Sequence, residues 1–284
     1  MVRILLFGTS ANPPTGRDGH SGIVDYFVGL GRFDEIWVLP VYQHMFSAKR
    51  DAMTDRGSPT YEDRIEMCRL AFENYSTARC RVRVLRTEQE VFTDILNARG
   101  GGEAATTPIR SSTFDVVQYL QKRNPDVEFS FLLGTDTYQD VRKGKWRKSE
   151  ELMEMVSFVV VDRLGVRPET ENLLAGVESH HPPFLTDVSS TKIRNARAED
   201  LVAGTLAVET PVLQYMKDHG LYGFGRQSRI ERAVMAATER CASVFSEERR
   251  WVLLAGAAAI VVAGGLVGVV SRLRKGGGGG CAIR

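Results

Sequence analysis

The sequence predicts an α/β protein built on a doubly wound parallel sheet, followed by a C-terminal helix and one membrane-spanning helix. Three observations lead there. Up to about Gly225, short runs rich in β-branched and aromatic residues alternate with longer helix-like stretches, the pattern of a parallel sheet covered on both faces. The first run, Val2 to Phe7, passes directly into a loop of glycines and prolines before the first helical stretch. Near the other end, Trp251 to Val270 reads WVLLAGAAAIVVAGGLVGVV and carries no charge.

Taken in order, the expected strands are Arg3–Phe7, Glu35–Val41, Arg81–Leu85, Val127–Leu133 and Ser157–Val161. The expected helices are His20–Leu30, Tyr61–Asn74, Ser112–Arg123, Ser149–Met155 and Glu209–Asp218. Arg99–Thr107, RGGGEAATT, reads as a glycine-rich surface loop. From Arg226 to Arg250 there is no Gly or Pro, and Ile230, Val234, Ala237 and Cys241 recur at helical intervals, so this stretch reads as a connecting helix. Residues 1–225 form the expected globular domain, 226–250 the connector, 251–270 the span and 271–284 a flexible tail rich in glycine and basic residues.

Composition narrows the function. A chain of 284 residues with 43% hydrophobic content can bury a sizeable core. Its 37 basic and 35 acidic residues leave a net charge of +2, so no overall field points to a nucleic-acid partner. Cys68, Cys80, Cys241 and Cys281 are scattered, without a CxxC pair, which speaks against a disulfide framework or a structural zinc site and suits a reducing compartment. The N-terminal run is too short for a signal-peptide core and reads as a buried strand.

As a helix rising about 1.5 Å per residue, the uncharged segment would cross roughly the 30 Å hydrocarbon core of a bilayer. A helix buried in a soluble domain usually keeps a polar face, and this segment has none. Both flanks are charged, with Glu247, Glu248, Arg249 and Arg250 before it and Arg272, Arg274 and Lys275 after it. With a folded domain ahead of it and no signal peptide, the segment is expected to be a tail anchor, with the domain facing the cytosol. A mitochondrial outer-membrane, peroxisomal or endoplasmic-reticulum location fits such an anchor. Trp251 suits an interfacial anchor, and Gly264 and Gly268 have the spacing for helix pairing, so a homo-oligomer is compatible with the sequence. The closing CAIR lacks a usual CaaX ending at Arg284, which argues against prenylation.

Three segments carry chemistry. In GTSANPPTGRDGH, Gly8 to His20, a strand end opens into a glycine-rich turn that leads to a helix N-terminus, where backbone N–H groups and the helix dipole can meet phosphate. It matches neither GxGxxG nor GxxxxGK[ST], so the two commonest nucleotide loops are unsupported. LLGTDTYQDVRKGKW, Leu132 to Trp146, puts a glycine and an aspartate at the carboxyl end of an apolar strand, where open α/β sheets bind ligands. SSTKIR, Ser189 to Arg194, groups hydroxyls with Lys192 and Arg194 near a helix start, a setting for an anion. Each alone also reads as an ordinary turn or cap; their order along one chain makes them specific.

These segments resemble the nucleotidyltransferases marked by HxGH in the first loop and SSTxIR in the last, enzymes with a Rossmann-like fold. GTDTYQDVRKGKW is similar to the GxD…W segment of nicotinamide or nicotinate mononucleotide adenylyltransferases within that superfamily. Lys49 with Arg64 and Met67, and the closing VLQYMKDHGLYG, extend the likeness over Val2 to Tyr222. The resemblance implies adenylyl transfer from ATP to a pyridine mononucleotide, forming NAD or its deamido form, with Mg²⁺ accompanying ATP. By the same resemblance, Gly8 and Thr9 line the nucleotide site, His20 contacts the phosphates, and Gly134 and Asp136 lie near the adenosine and the mononucleotide. Trp146 stacks on the pyridine ring, Ser190, Thr191 and Arg194 hold the β and γ phosphates, and Lys49 neutralises them.

Two departures from the family pattern stand out. Arg17 occupies the place of the first His or Thr of the motif, in RDGH, and the loop before it is longer by two residues; Thr15 is the substitute for that role, with Arg17 as a second candidate at the ATP site. In PIRSSTFDVV, Ile109 and Arg110 replace a common Tyr-Thr pair while Thr113 keeps a hydroxyl for the mononucleotide, which leaves the choice of base open. Two other functions stay in play: a nucleotidyltransferase for a lipid or coenzyme precursor, and a membrane-held nucleotide-binding adaptor weakened by the altered loop. Trp37 is expected in the core, His180 and His181 in a solvated loop or strand end, and His44 near Lys49.

Overall fold

The structure is a computed structural model that describes residues 1–43, 58–98, 110–162, 176–196, 200–201 and 208–224. Six parallel strands form one sheet: β1 (Val2–Thr9), β2 (Glu35–Pro40), β3 (Arg81–Val84), β4 (Val127–Gly134), β5 (Ser157–Val161) and β6 (Glu178–His180). Their spatial order is β3-β2-β1-β4-β5-β6. The chain therefore winds outward from β1 in one direction and from β4 in the other, and a crevice opens between the carboxyl ends of these two neighbours.

The helices are α1 (His20–Leu30), α2 (Tyr61–Phe72, followed by a 3₁₀ turn at Glu73–Tyr75), α3 (Thr87–Ala98), α4 (Thr113–Arg123), α5 (Thr135–Arg142), α6 (Ser149–Met155), α7 (Ser190–Asn195) and α8 (Thr210–Asp218). Alternation along the central strand decides which helix lies on which face. Leu5 and Phe7 of β1 join a core with Val24 and Phe27 of α1, Ile65 and Phe72 of α2, and Val212 and Met216 of α8. Ile4 and Leu6, one residue out of step, join the opposite core with Phe114, Val117 and Leu120 of α4, Val141 of α5 and Leu152 of α6. Burial on both faces explains why these strands read as nearly continuous apolar runs.

The sequence left out α3, α5, α7 and β6. Only Thr87 and Val91 of α3 are buried, and α5 buries Thr135, Tyr138 and Val141, so neither offers a strong apolar period. The edge strand β6 is a polar Glu-Ser-His triplet that no alternation rule detects. His180 is not solvated as expected: its side chain is 11% exposed, and its ring packs 4.9 Å from Phe27 while Nδ1 lies 3.0 Å from the Tyr26 hydroxyl. His181 is exposed and pairs with Asp162. Trp37 is buried, its indole N–H donating to Glu35.

Among the described residues no helix is long and apolar enough to cross a membrane. The glycine-rich loop at 99–107, His44, Lys49, the connecting helix, the span at Trp251–Val270 and the tail all lie outside the described residues.

Candidate functional site

The first loop ends at α1, whose opening residue is His20. Its N-cap position is Gly19, which has no side chain to satisfy the terminal amides. Thr15 does this from outside the helix: its Oγ1 accepts from the His20 backbone N–H at 2.7 Å, and its own N–H donates to His20 Nδ1 at 3.1 Å. Because Nδ1 accepts, the neutral ring carries its proton on Nε2, and Thr15 thereby fixes the tautomer. The ring rests 5.9 Å from Phe7 at the end of β1.

Residues 16–19 make a tight bulge ahead of α1. The Gly19 N–H donates to the Gly16 carbonyl at 2.9 Å, and the Thr186 N–H holds the Asp18 carbonyl at 3.1 Å. The bulge lies against α1 only because Gly19 and Gly22 lack side chains: a Cβ on Gly22 would stand 1.8 Å from the Arg17 carbonyl oxygen, and one on Gly19 2.2 Å from Thr15 Oγ1. Arg17 is exposed on this turn and Thr15 is buried. The structure thus puts Thr15, rather than Arg17, in contact with His20.

The rest of the loop is held by side chains from distant segments. Buried Arg64 of α2 donates to the carbonyls of Ser10 at 3.2 Å and Val41 at 2.6 Å. Arg194 of α7 donates to the Asn12 carbonyl at 2.6 Å and to Thr191 Oγ1 at 3.1 Å. Ser190 Oγ donates to the Pro13 carbonyl at 2.7 Å. Every acceptor here is neutral, and among the described residues neither Arg64 nor Arg194 has a carboxylate within ion-pair range. Two guanidinium groups meeting at one loop concentrate positive charge where a polyphosphate would be attracted.

A cleft of about 360 Å³ opens at the β1/β4 switch point. Gly8 and Thr9 from the end of β1, His20 from α1, Gly134 and Asp136 from the end of β4, Thr113 at the start of α4, and Trp146 all line it. A pair between Arg147 and Asp115 at 2.7 Å fastens the Trp146 segment to the first turn of α4, the turn that carries Thr113. Ser190, Thr191 and Arg194 do not line this cleft; they meet the first loop from α7. Lys49 is outside the described residues.

Glu88, absent from the expected set, also lines the cleft. Burial pushes its carboxyl up to about 7, against the opposing pull of the Tyr42 N–H and Arg64. Its position just beyond the carboxyl end of β3, on the ligand side of the sheet, was the signal for it. Asp140, one helical turn after Asp136, was missed too; it faces the cleft and pairs with Lys145 at 2.7 Å.

Comparison with known proteins agrees with this geometry. The family model described as cytidylyltransferase-like matches residues 6–196. A relative from Bacillus pumilus, described as a probable nicotinate-nucleotide adenylyltransferase, is 30% identical over 225 residues, covering 78% of this chain and 99% of the relative. The nicotinate-nucleotide adenylyltransferase of Bacillus subtilis is 27% identical over 225 residues, with 78% and 99% covered. Among solved structures, the Plasmodium falciparum nicotinic acid mononucleotide adenylyltransferase complexed with NaAD shares the fold, with a TM-score of 0.57 at 18% identity over 79% of this chain and 98% of that one. A first loop ending in a positioned histidine at the switch point, matched over most of its length by such relatives, places the chain in the cytidylyltransferase-like family as a HIGH-motif nucleotidyltransferase of the adenylyltransferase type.

Proposed function

We propose that the protein transfers the adenylyl group of ATP to nicotinate mononucleotide, releasing pyrophosphate and forming deamido-NAD. The observation that carries this reading is the presence of His20 and Trp146 in one cleft at the sheet's switch point. One offers an N–H to a phosphate oxygen and the other an aromatic platform for a pyridine ring. The names of the relatives favour nicotinate over nicotinamide as the base.

In this reading no covalent enzyme intermediate forms. A phosphate oxygen of the mononucleotide attacks the α-phosphorus of ATP, the bond from that phosphorus to the bridging oxygen breaks, and pyrophosphate leaves with the electron pair. The protein supplies position and charge. His20, with its tautomer set by Thr15, presents Nε2–H to a phosphate oxygen. Gly8, Thr9 and the α1 N-terminus take the triphosphate, Ser190, Thr191 and Arg194 support its β and γ groups, and Gly134, Asp136, Thr113 and Trp146 seat the adenosine and the mononucleotide. Magnesium enters as the ATP complex, because the triphosphate oxygens themselves suit this hard cation.

The contact between Thr15 and His20 weakens the adaptor reading, since the loop retains a partner for its histidine. Membrane attachment through Trp251–Val270 is the second part of the proposal and rests on the sequence. The full chain should stay with membranes in alkaline carbonate, and a chain ending at residue 225 should not; release of both refutes the anchor. For the chemistry, kcat/KM is measured with nicotinate and with nicotinamide mononucleotide in the presence of ATP and Mg²⁺. Deamido-NAD formation should dominate, and absence of dinucleotide from either substrate overturns the assignment.

A further inference from the structure

The last described turn returns to the first loop. Tyr222, in the segment after α8, donates its hydroxyl to Asn12 Oδ1 at 2.7 Å, across 210 positions of sequence. Asn12 is also the residue whose backbone carbonyl Arg194 holds, so side chain and main chain of one loop residue are fixed from two different segments. The phenol sits within electrostatic reach of both Arg64 and Arg194, and burial keeps it far above the usual tyrosine range, so it remains a donor at any physiological pH.

The backbone at this point is unusual. Tyr222 has φ of 52°, in the left-handed region that non-glycine residues disfavour, between Gly220 at 64° and Gly223 at 94°. Glycine serves that conformation without cost at 220 and 223; a tyrosine held there has its side chain delivered to one place at the expense of strain. Ala11, next to Asn12, is likewise left-handed with φ of 44° and fully buried. A left-handed residue therefore stands at the donor end of this hydrogen bond, and another directly precedes its acceptor, Asn12.

We propose that Tyr222 is a positioning residue for ATP: by holding the Asn12 amide, its hydroxyl keeps the first loop in the shape that receives the triphosphate. This rests on reading that loop as the phosphate cradle.

The test uses the full chain with Tyr222→Phe, which keeps the ring and removes the hydroxyl, and Asn12→Ala, which removes the acceptor. ATP affinity is measured by calorimetry without mononucleotide, and both KM values by turnover. Each variant should weaken ATP binding about fivefold to tenfold, the loss expected for one buried hydrogen bond, with less than a twofold change in the KM for the mononucleotide. The double variant should lose no more than either single one. Unchanged ATP affinity in Tyr222→Phe, additive losses in the double variant, or equal rises in both KM values with a lowered Tm would each overturn the proposal. Because the calorimetric arm needs no second substrate, a wild-type chain that binds ATP yet makes no dinucleotide would refute the assigned reaction and leave this inference to be judged on ATP affinity alone.

Discussion

The two walls of the cleft are built in opposite ways. At the exit of β1, the backbone from Ser10 to Pro13 belongs to no regular element, and its carbonyls are held by Arg64, Arg194 and Ser190 from α2 and α7. At the exit of β4, the chain turns at once into α5, whose amides and carbonyls largely satisfy one another. Its main outside tie is Thr135, whose hydroxyl donates to Asp162 at the end of β5. The first wall is rigid because distant parts of the chain agree on it; the second, because a helix forms locally. Buried backbone groups must be paired in either case, and the two walls solve the same requirement at long and at short range.

That difference predicts different responses to mutation. The largest should come at the β1 side, where His20→Ala removes a hydrogen-bond donor to phosphate: kcat should fall roughly 100- to 1000-fold, the equivalent of about 2.7 to 4 kcal/mol, with little change in Tm. Gly22→Ala attacks the same wall through packing. With a backbone oxygen 1.8 Å from the new Cβ, the bulge must move at a cost of about 3 kcal/mol, read as a Tm lower by roughly 6 to 12 °C together with weaker ATP binding. On the other wall, Trp146→Ala should raise the KM for the mononucleotide about tenfold or more, a stacking contribution of roughly 1 to 3 kcal/mol, while the KM for ATP changes far less. A rise in both KM values to the same extent would erase the distinction between the walls.

The smallest effect concerns pH. Glu88 titrates at about 7, so it is mostly neutral below that value and anionic above it. A charge appearing in the cleft repels phosphate, so KM for ATP in the wild type should rise a few-fold between pH 6 and pH 8, while Glu88→Gln should stay flat. The same shift acts on stability. An acid whose folded value is raised stabilises the fold below its unfolded value, and that contribution is lost as pH rises through the folded one. Glu88→Gln should therefore gain on the wild type in Tm at pH 8 but not at pH 4.

How much of this was legible in the sequence follows the same division. The strands β1, β2, β4 and β5 announced themselves because both faces are buried and nearly every residue is apolar. Gly134, Asp136 and Trp146 were legible because they sit together in one local motif that begins at the end of a strand. The first loop was only partly so. Its glycines and His20 could be named, but the sequence offered Thr15 and Arg17 alike for the place of the motif's first residue, and only the folded turn shows that Thr15 contacts His20 while Arg17 is exposed. Asn12 read as one residue of the first loop and Tyr222 as part of a closing segment; their contact is a matter of tertiary distance that no periodicity encodes. Glu88 was hidden for a different reason, since its helix buries too few apolar residues to show a helical period.

The central claim is that the β1 wall carries adenylyl transfer. It is tested most directly by incubating the wild-type chain and His20→Ala with ATP, nicotinate mononucleotide and Mg²⁺, and following deamido-NAD and pyrophosphate together. The wild type should release the two products in equal amounts, and the variant should do so at least 100-fold more slowly while still folded. Equal rates from the two proteins, or pyrophosphate without dinucleotide, would contradict it.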